Sequence, residues 1–182
     1  MIYTLSIIFI VSIYLVTLRK EEITKSLNKM YNCFDIAKYF VKLAKEEGQG
    51  IDPMKLLKLT YISQGYYLGF KDKPLFSNKI QAWKYGPVIP ELYYVIKPFG
   101  YNNVDPIVLD LHTRNEIKEE DKNFLKSLWS AYKNASGIRL SELTHEENTP
   151  WYKTYIEGVS NINIEEGVIK DYYKTKIAST NV

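Results

Sequence analysis

From Phe34 to Glu47, apolar residues recur at Ile36, Ala37, Phe40, Val41, Leu43 and Ala44, while Lys38, Lys42 and Lys45 fall on the opposite side. Such spacing predicts an amphipathic helix, ended by Gly48 and Gly50. Ile51-Asp52-Pro53 then reads as a helix start, because Asp52 can cap free amides and Pro53 gives up an N–H that the first turn does not need. The stretch that follows, MKLLKLTYISQGYYLGF, is apolar on nearly every side apart from Lys55 and Lys58, which predicts a helix through the middle of the core. Gly65 within it weakens a helix by about 1 kcal/mol, so a close helix crossing is the expected reason for it.

Gly69 to Asn78 reads as a loop, and Lys79 to Lys84 as a short extended piece. Tyr85-Gly86-Pro87 turns the chain, and Pro90 opens a short helix, PELYYVI, stopped by Pro98 and Gly100. Tyr101 to Asn115 has the least periodicity, with Pro106-Ile107-Val108-Leu109 as a second candidate strand. Lys118 to Asn134 is amphipathic again, with Phe124, Leu125, Leu128, Trp129 and Tyr132 as its stripe and Glu119, Glu120 and Asp121 at its positive end. Gly137 breaks that helix. A shorter one follows with Ile138, Leu140 and Leu143 inward, and Thr149-Pro150 starts another. Asn163 is the expected cap of the last helix, whose apolar face is Val168, Ile169, Tyr172, Tyr173 and Ile177.

These elements add up to a mainly α fold: a compact, single-domain, multi-helix bundle with one or two short β-strands, preceded by an N-terminal hydrophobic helix. Residues 1–29 form the hydrophobic extension, 30–178 the domain and 179–182 a frayed tail. Met1 to Leu18 carries no charge, and Arg19 and Lys20 follow at once. Two readings of it stand: a single membrane anchor, or an extension from a start codon placed too far upstream, since Met30 also looks like a natural beginning. Under either, the domain is expected in the cytoplasm.

Composition narrows the partners. A 46% hydrophobic share builds a core, and sixteen tyrosines and three tryptophans suit helix contacts and partner surfaces alike. The net charge of +3 is dispersed, which gives nucleic acid weak support. One cysteine, Cys33, leaves no internal disulfide and fits a reducing compartment.

Three blocks carry a resemblance. They are Met54-Lys55-Leu56-Leu57-Lys58-Leu59-Thr60-Tyr61 with Gln64-Gly65; Gln81-Ala82-Trp83-Lys84-Tyr85-Gly86-Pro87-Val88-Ile89-Pro90-Glu91-Leu92-Tyr93; and Leu140-Ser141-Glu142-Leu143-Thr144-His145 with Pro150-Trp151. In order and spacing the chain resembles the Panacea (SocA-like) antitoxin domain family, also described as phage-associated proteins. The resemblance implies an antitoxin that neutralises a cognate protein toxin encoded in an adjacent gene. It also implies, for at least one member, an adaptor that hands its toxin to a protease. No enzymatic activity, cofactor or metal is implied.

The chemistry of single residues is weighed beside this. His145 with Glu146 and Glu147 invites an acid–base or zinc reading, but position 149 is Thr149 where a zinc helix would carry a second histidine. His112 lies in the least patterned segment. The structural expectation is that His145 ends its helix, bonds a backbone carbonyl and packs against Trp151. Cys33 reads as a small, half-buried apolar residue, and Ser63 and Ser141 lack a nucleophile elbow. For partner binding the candidates are Trp83, Tyr85, Gly86, Pro87, Val88, His145 and Trp151, with Trp83 and Tyr85 as anchors on a stiff loop, while Trp83 and Trp151 also read as core side chains. The alternatives are a nucleic-acid-binding regulator using Lys25, Lys29, Lys38, Lys42 and Lys45, and a His145-based hydrolase.

Overall fold

A computed structural model of the chain describes residues 15–17, 19–20 and 30–180. The chain divides into two compact units, Met1–Met30 and Tyr31–Val182. Residues 15–17 and 19–20 of the first unit are helical. The expected hydrophobic helix or anchor over 1–29 otherwise lies outside the described residues. No helix among the described residues is long and apolar enough to cross a membrane.

The second unit is mainly helical. Helix α1 is Cys33–Glu46, opened by a capping box in which Asn32 and Asp35 satisfy each other's backbone amides. Its buried side faces the core, and Cys33 is fully buried rather than half-buried. Helix α2, Pro53–Lys71, is capped by Asp52 with Pro53 in its first turn. It runs through the centre and packs most extensively on helix α8 (Glu166–Thr180) and helix α6 (Gly137–His145). At the α2–α8 crossing, a Cβ on Gly65 would lie 2.1 Å from the Tyr173 ring, so the glycine is where the last helix seats.

Helix α2 does not stop at Gly69, where a loop was expected. Gly69 lies against Tyr173 and Ile177, and burial against α8 carries the helix to Lys71, where Asp72 takes a left-handed turn. Strands β1 (Gln81–Trp83) and β2 (Gly86–Val88) form a hairpin, and β3 (Ile162–Asn163) pairs with the other side of β1. The turn itself is Lys84-Tyr85, with Trp83 opposite Gly86, so Gly86-Pro87 belong to the returning strand.

Helix α3 (Pro90–Ile96) runs into a 3-10 turn at Lys97–Phe99. Pro106 to Leu109 is not a strand but leads into helix α4, Ile107–Asp110, because Asp105 accepts from the Ile107 amide and winds the turn. Helix α5 (Glu119–Tyr132) buries Leu125, Leu128 and Trp129 as its pattern predicts.

It also buries Asp121, whose carboxylate accepts from the Tyr31 and Tyr67 hydroxyls at 2.8 and 2.9 Å. Gly137 opens α6 rather than breaking α5, which ends at Tyr132. The inward face of α6 is Gly137, Leu140 and Thr144, so Ile138 points to solvent at 72% exposure instead of inward. Thr149 and Pro150 start helix α7, Pro150–Thr154. Asn163 does not cap the last helix. It lies in β3 opposite Gln81, and the last helix runs from Glu166 to Thr180.

Candidate functional site

The hairpin turn is held through its own backbone by side chains from three helices. Lys58, in the middle of α2, is fully buried, and its Nζ donates to the carbonyls of Tyr85 (2.6 Å) and Pro87 (3.0 Å). Ser141 Oγ also donates to the Tyr85 carbonyl, at 3.3 Å. Trp151 Nε1 donates to the Trp83 carbonyl at 2.7 Å. One ring nitrogen of His145 lies 2.5 Å from the Ser141 carbonyl and the other 3.4 Å from the Lys84 carbonyl. Carbonyls 83, 84, 85 and 87 are therefore all within reach of fixed groups, an unusual degree of support for a two-residue turn.

Gly86 makes the convergence possible. Its φ of +98° is a left-handed conformation that side chains rarely adopt, and a Cβ there would lie 2.6 Å from Lys58 Nζ and 2.8 Å from His145 Cε1. Thr144 Oγ1, bonded to the Ser141 carbonyl, lies on the same side. The three sequence blocks thus meet at one place: Lys58 from the first, the Trp83–Pro87 backbone from the second, Ser141, Thr144, His145 and Trp151 from the third.

The seven candidate contact residues fall into two groups. Gly86, Pro87 and Val88 are buried, whereas Tyr85 is 66% exposed at the tip. Trp83, His145 and Trp151 are half-buried. Trp83 packs edge-on against Tyr93, with ring centres 5.1 Å apart, and bonds Gln81. His145 closes α6, bonds a backbone carbonyl and packs 4.1 Å from the Trp151 ring, as its sequence context predicts. Trp151 stacks in turn on Tyr155.

Lys58 was legible only as a polar exception in an apolar helix. The available signal was that a helix buried all round must bury its lysines too, and then needs partners for them. Lys55 follows the same rule: its Nζ donates to the Lys133 carbonyl that ends α5 and lies over the Trp129 ring.

Burial pushes the Lys58 ammonium down to about 7 from an ordinary value of 10.5. The folded state therefore holds fewer protons than the unfolded chain between pH 7 and 10.5, so this group's contribution to stability rises with pH across that window. Urea unfolding at pH 7 and pH 9 should show the native protein gaining on Lys58→Met as pH rises. An unchanged difference between the two would contradict it. Buried tyrosines such as Tyr31, raised to about 12, act with the opposite sign, but only as pH rises past their unfolded value of 10, above the two pH values compared.

Other candidate chemistry is placed elsewhere. Burial drives the Cys33 thiol well above its ordinary range, which suits packing and not nucleophilic attack. His112 stacks on Phe34. Among the described residues no group of three or more His, Cys, Asp and Glu side chains could hold a metal ion. Lys38 pairs with Asp110 at 2.8 Å and Lys42 with Glu46 at 3.7 Å, so two of the lysines considered for nucleic acid have carboxylates beside them. Lys25 and Lys29 lie outside the described residues.

Among known families, the model described as "Antitoxin SocA-like, Panacea domain" matches residues 56–152, more than half the chain. No curated protein and no solved structure matches the chain. The matched span contains Lys58, the hairpin, His145 and Trp151, the groups whose geometry converges at the turn. On that span, the chain belongs to the SocA-like, Panacea-domain antitoxin family.

Proposed function

We propose that this chain is an antitoxin that binds a cognate protein toxin and neutralises it by covering the toxin's working surface, with the contact centred on the Lys84-Tyr85 turn. The observation that carries the reading is an exposed tyrosine on a turn whose carbonyls are pinned from three helices. A partner that docks there meets a surface already ordered, so little conformational entropy is lost on binding. Tyrosine and tryptophan also dominate interface hot spots. Gly86, Pro87 and Val88, being buried, act by shaping the turn, and His145 and Trp151 by holding it from below.

Stable neutralisation would bury about 1,200–2,000 Å², so the contact extends well beyond the turn. The work is done in the cytoplasm and without catalysis, and both of His145's ring nitrogens face backbone carbonyls rather than a nucleophile. Delivery of the toxin to a protease belongs to the same proposal and would appear as a shortened toxin half-life.

Expressing the neighbouring gene alone, then together with this chain, tests the reading. Growth arrest relieved by the chain, with the two proteins co-purifying, is the expected result. A neighbour that is harmless and does not co-purify would overturn it.

A further inference from the structure

Beside the hairpin lies a groove of about 480 Å³, lined by Ala82, Trp83, Lys84, Tyr94, Tyr155 and Val159 among others. Tyr94 is 57% exposed and Val159 48%, so the groove is open, and its walls are mixed, with Lys84, Ser160 and Asn161 beside the aromatic rings and Val159. Lysines frame it. Lys97 Nζ stands 4.7 Å from the centre of the Tyr94 ring, and Lys84 Nζ 5.7 Å from that of Tyr85.

Lys38, Lys71, Lys133 and Lys174 lie within ion-pair distance of carboxylates. Lys84 and Lys97 have no carboxylate partner among the described residues and rest on aromatic rings instead. A cation parked on a ring is positioned yet still free to take an anion.

We infer that this groove receives an extended acidic segment of the protein partner, an apolar side chain entering between Tyr94, Tyr155 and Val159 while carboxylates meet Lys84 and Lys97. The inference rests on the antitoxin reading for its choice of a protein partner, and adds the partner's chemistry. Charge complementarity argues for acid: the segment from Lys79 before the hairpin to the 3-10 turn after α3 carries Lys79, Lys84 and Lys97 against Glu91 alone.

Single-stranded nucleic acid, the other ligand that favours lysine and aromatic rings, needs open ring faces for base stacking. Here Trp83 is edge-on to Tyr93 and Tyr94, and Lys97 stands over Tyr94.

The test is a titration of the isotope-labelled full chain, followed by NMR. The probes are an acetylated, amidated acidic octapeptide with a central phenylalanine, its counterpart with lysines for the acids, and oligothymidylate. Saturable shifts at Trp83, Tyr85, Tyr94 and Val159 are expected with the acidic peptide alone. Its affinity should weaken about tenfold between about 50 and about 300 mM salt. Lys84→Glu/Lys97→Glu should abolish the shifts without moving the thermal midpoint, and Lys84→Met/Lys97→Met should weaken them.

Equal response to the acidic and basic peptides, response to oligothymidylate alone, or no response at these residues would each overturn the inference. Because no toxin enters this titration, its failure leaves the antitoxin reading standing, and a failed growth rescue leaves the titration interpretable.

Discussion

Lys58→Ala is expected to lower stability by about 2–4 kcal/mol and to free the hairpin from the domain. Two carbonyls, that of Pro87 buried and that of Tyr85 partly buried, depend on this one amine. Without it the Pro87 carbonyl loses its 3.0 Å donor, and the Tyr85 carbonyl keeps only Ser141 Oγ at 3.3 Å. Each buried acceptor left unpaired costs about 1–3 kcal/mol, and the vanished methylene stem leaves a cavity as well. Removing a buried cation gives part of this back, since the folded state no longer has to desolvate an ammonium.

Lys58→Met separates the two terms: it keeps most of the stem and should cost less than the alanine, yet disturb the turn as much. Urea unfolding at pH 7, with amide spectra of residues 84–88, measures both. An alanine variant as stable as the native protein, with unshifted turn amides, would mean that Lys58 does not hold the hairpin.

Gly65→Ala carries the second large effect, about 2–3 kcal/mol of destabilisation despite alanine's better helix propensity. Its Cβ would sit 2.1 Å from the Tyr173 ring, a fully packed side chain that also meets Tyr61 and Tyr66. Relief requires the ring or α8 to move, and α8 is the helix that packs most extensively on α2. A double-mutant cycle isolates the cause. In a Tyr173→Ala background the Gly65→Ala change should cost little or should stabilise, because the clash has gone while the propensity gain remains. Equal costs in both backgrounds would place the fault elsewhere.

Both variants bear on what was legible in the chain. The periodic segments of α1 and α5, the Asp52-Pro53 and Thr149-Pro150 starts, the close crossing at Gly65 and the setting of His145 follow from local rules that the fold leaves undisturbed. Tertiary context overrides the rest. Ile107 and Val108 have strand-forming side chains, yet Asp105 winds them into a helical turn. Asn163 has capping chemistry, but β1 offers it a strand partner first.

The site shows the same division. Tyr85 on a turn was readable, and so was the stiffness of Gly86-Pro87. That Lys58 reaches the turn was not, because its partners lie 27 and 29 residues away and a helix pattern records only burial.

The central claim is that the pinned turn presents Tyr85 to a toxin. Calorimetric titration of the purified toxin with native chain and with Tyr85→Ala tests it most directly, read beside the thermal midpoint of each. Because Tyr85 is exposed, the variant should melt with the native protein while binding about 30-fold more weakly, as a hot-spot tyrosine would. Undiminished affinity in a well-folded Tyr85→Ala variant would place the contact on another face of the domain.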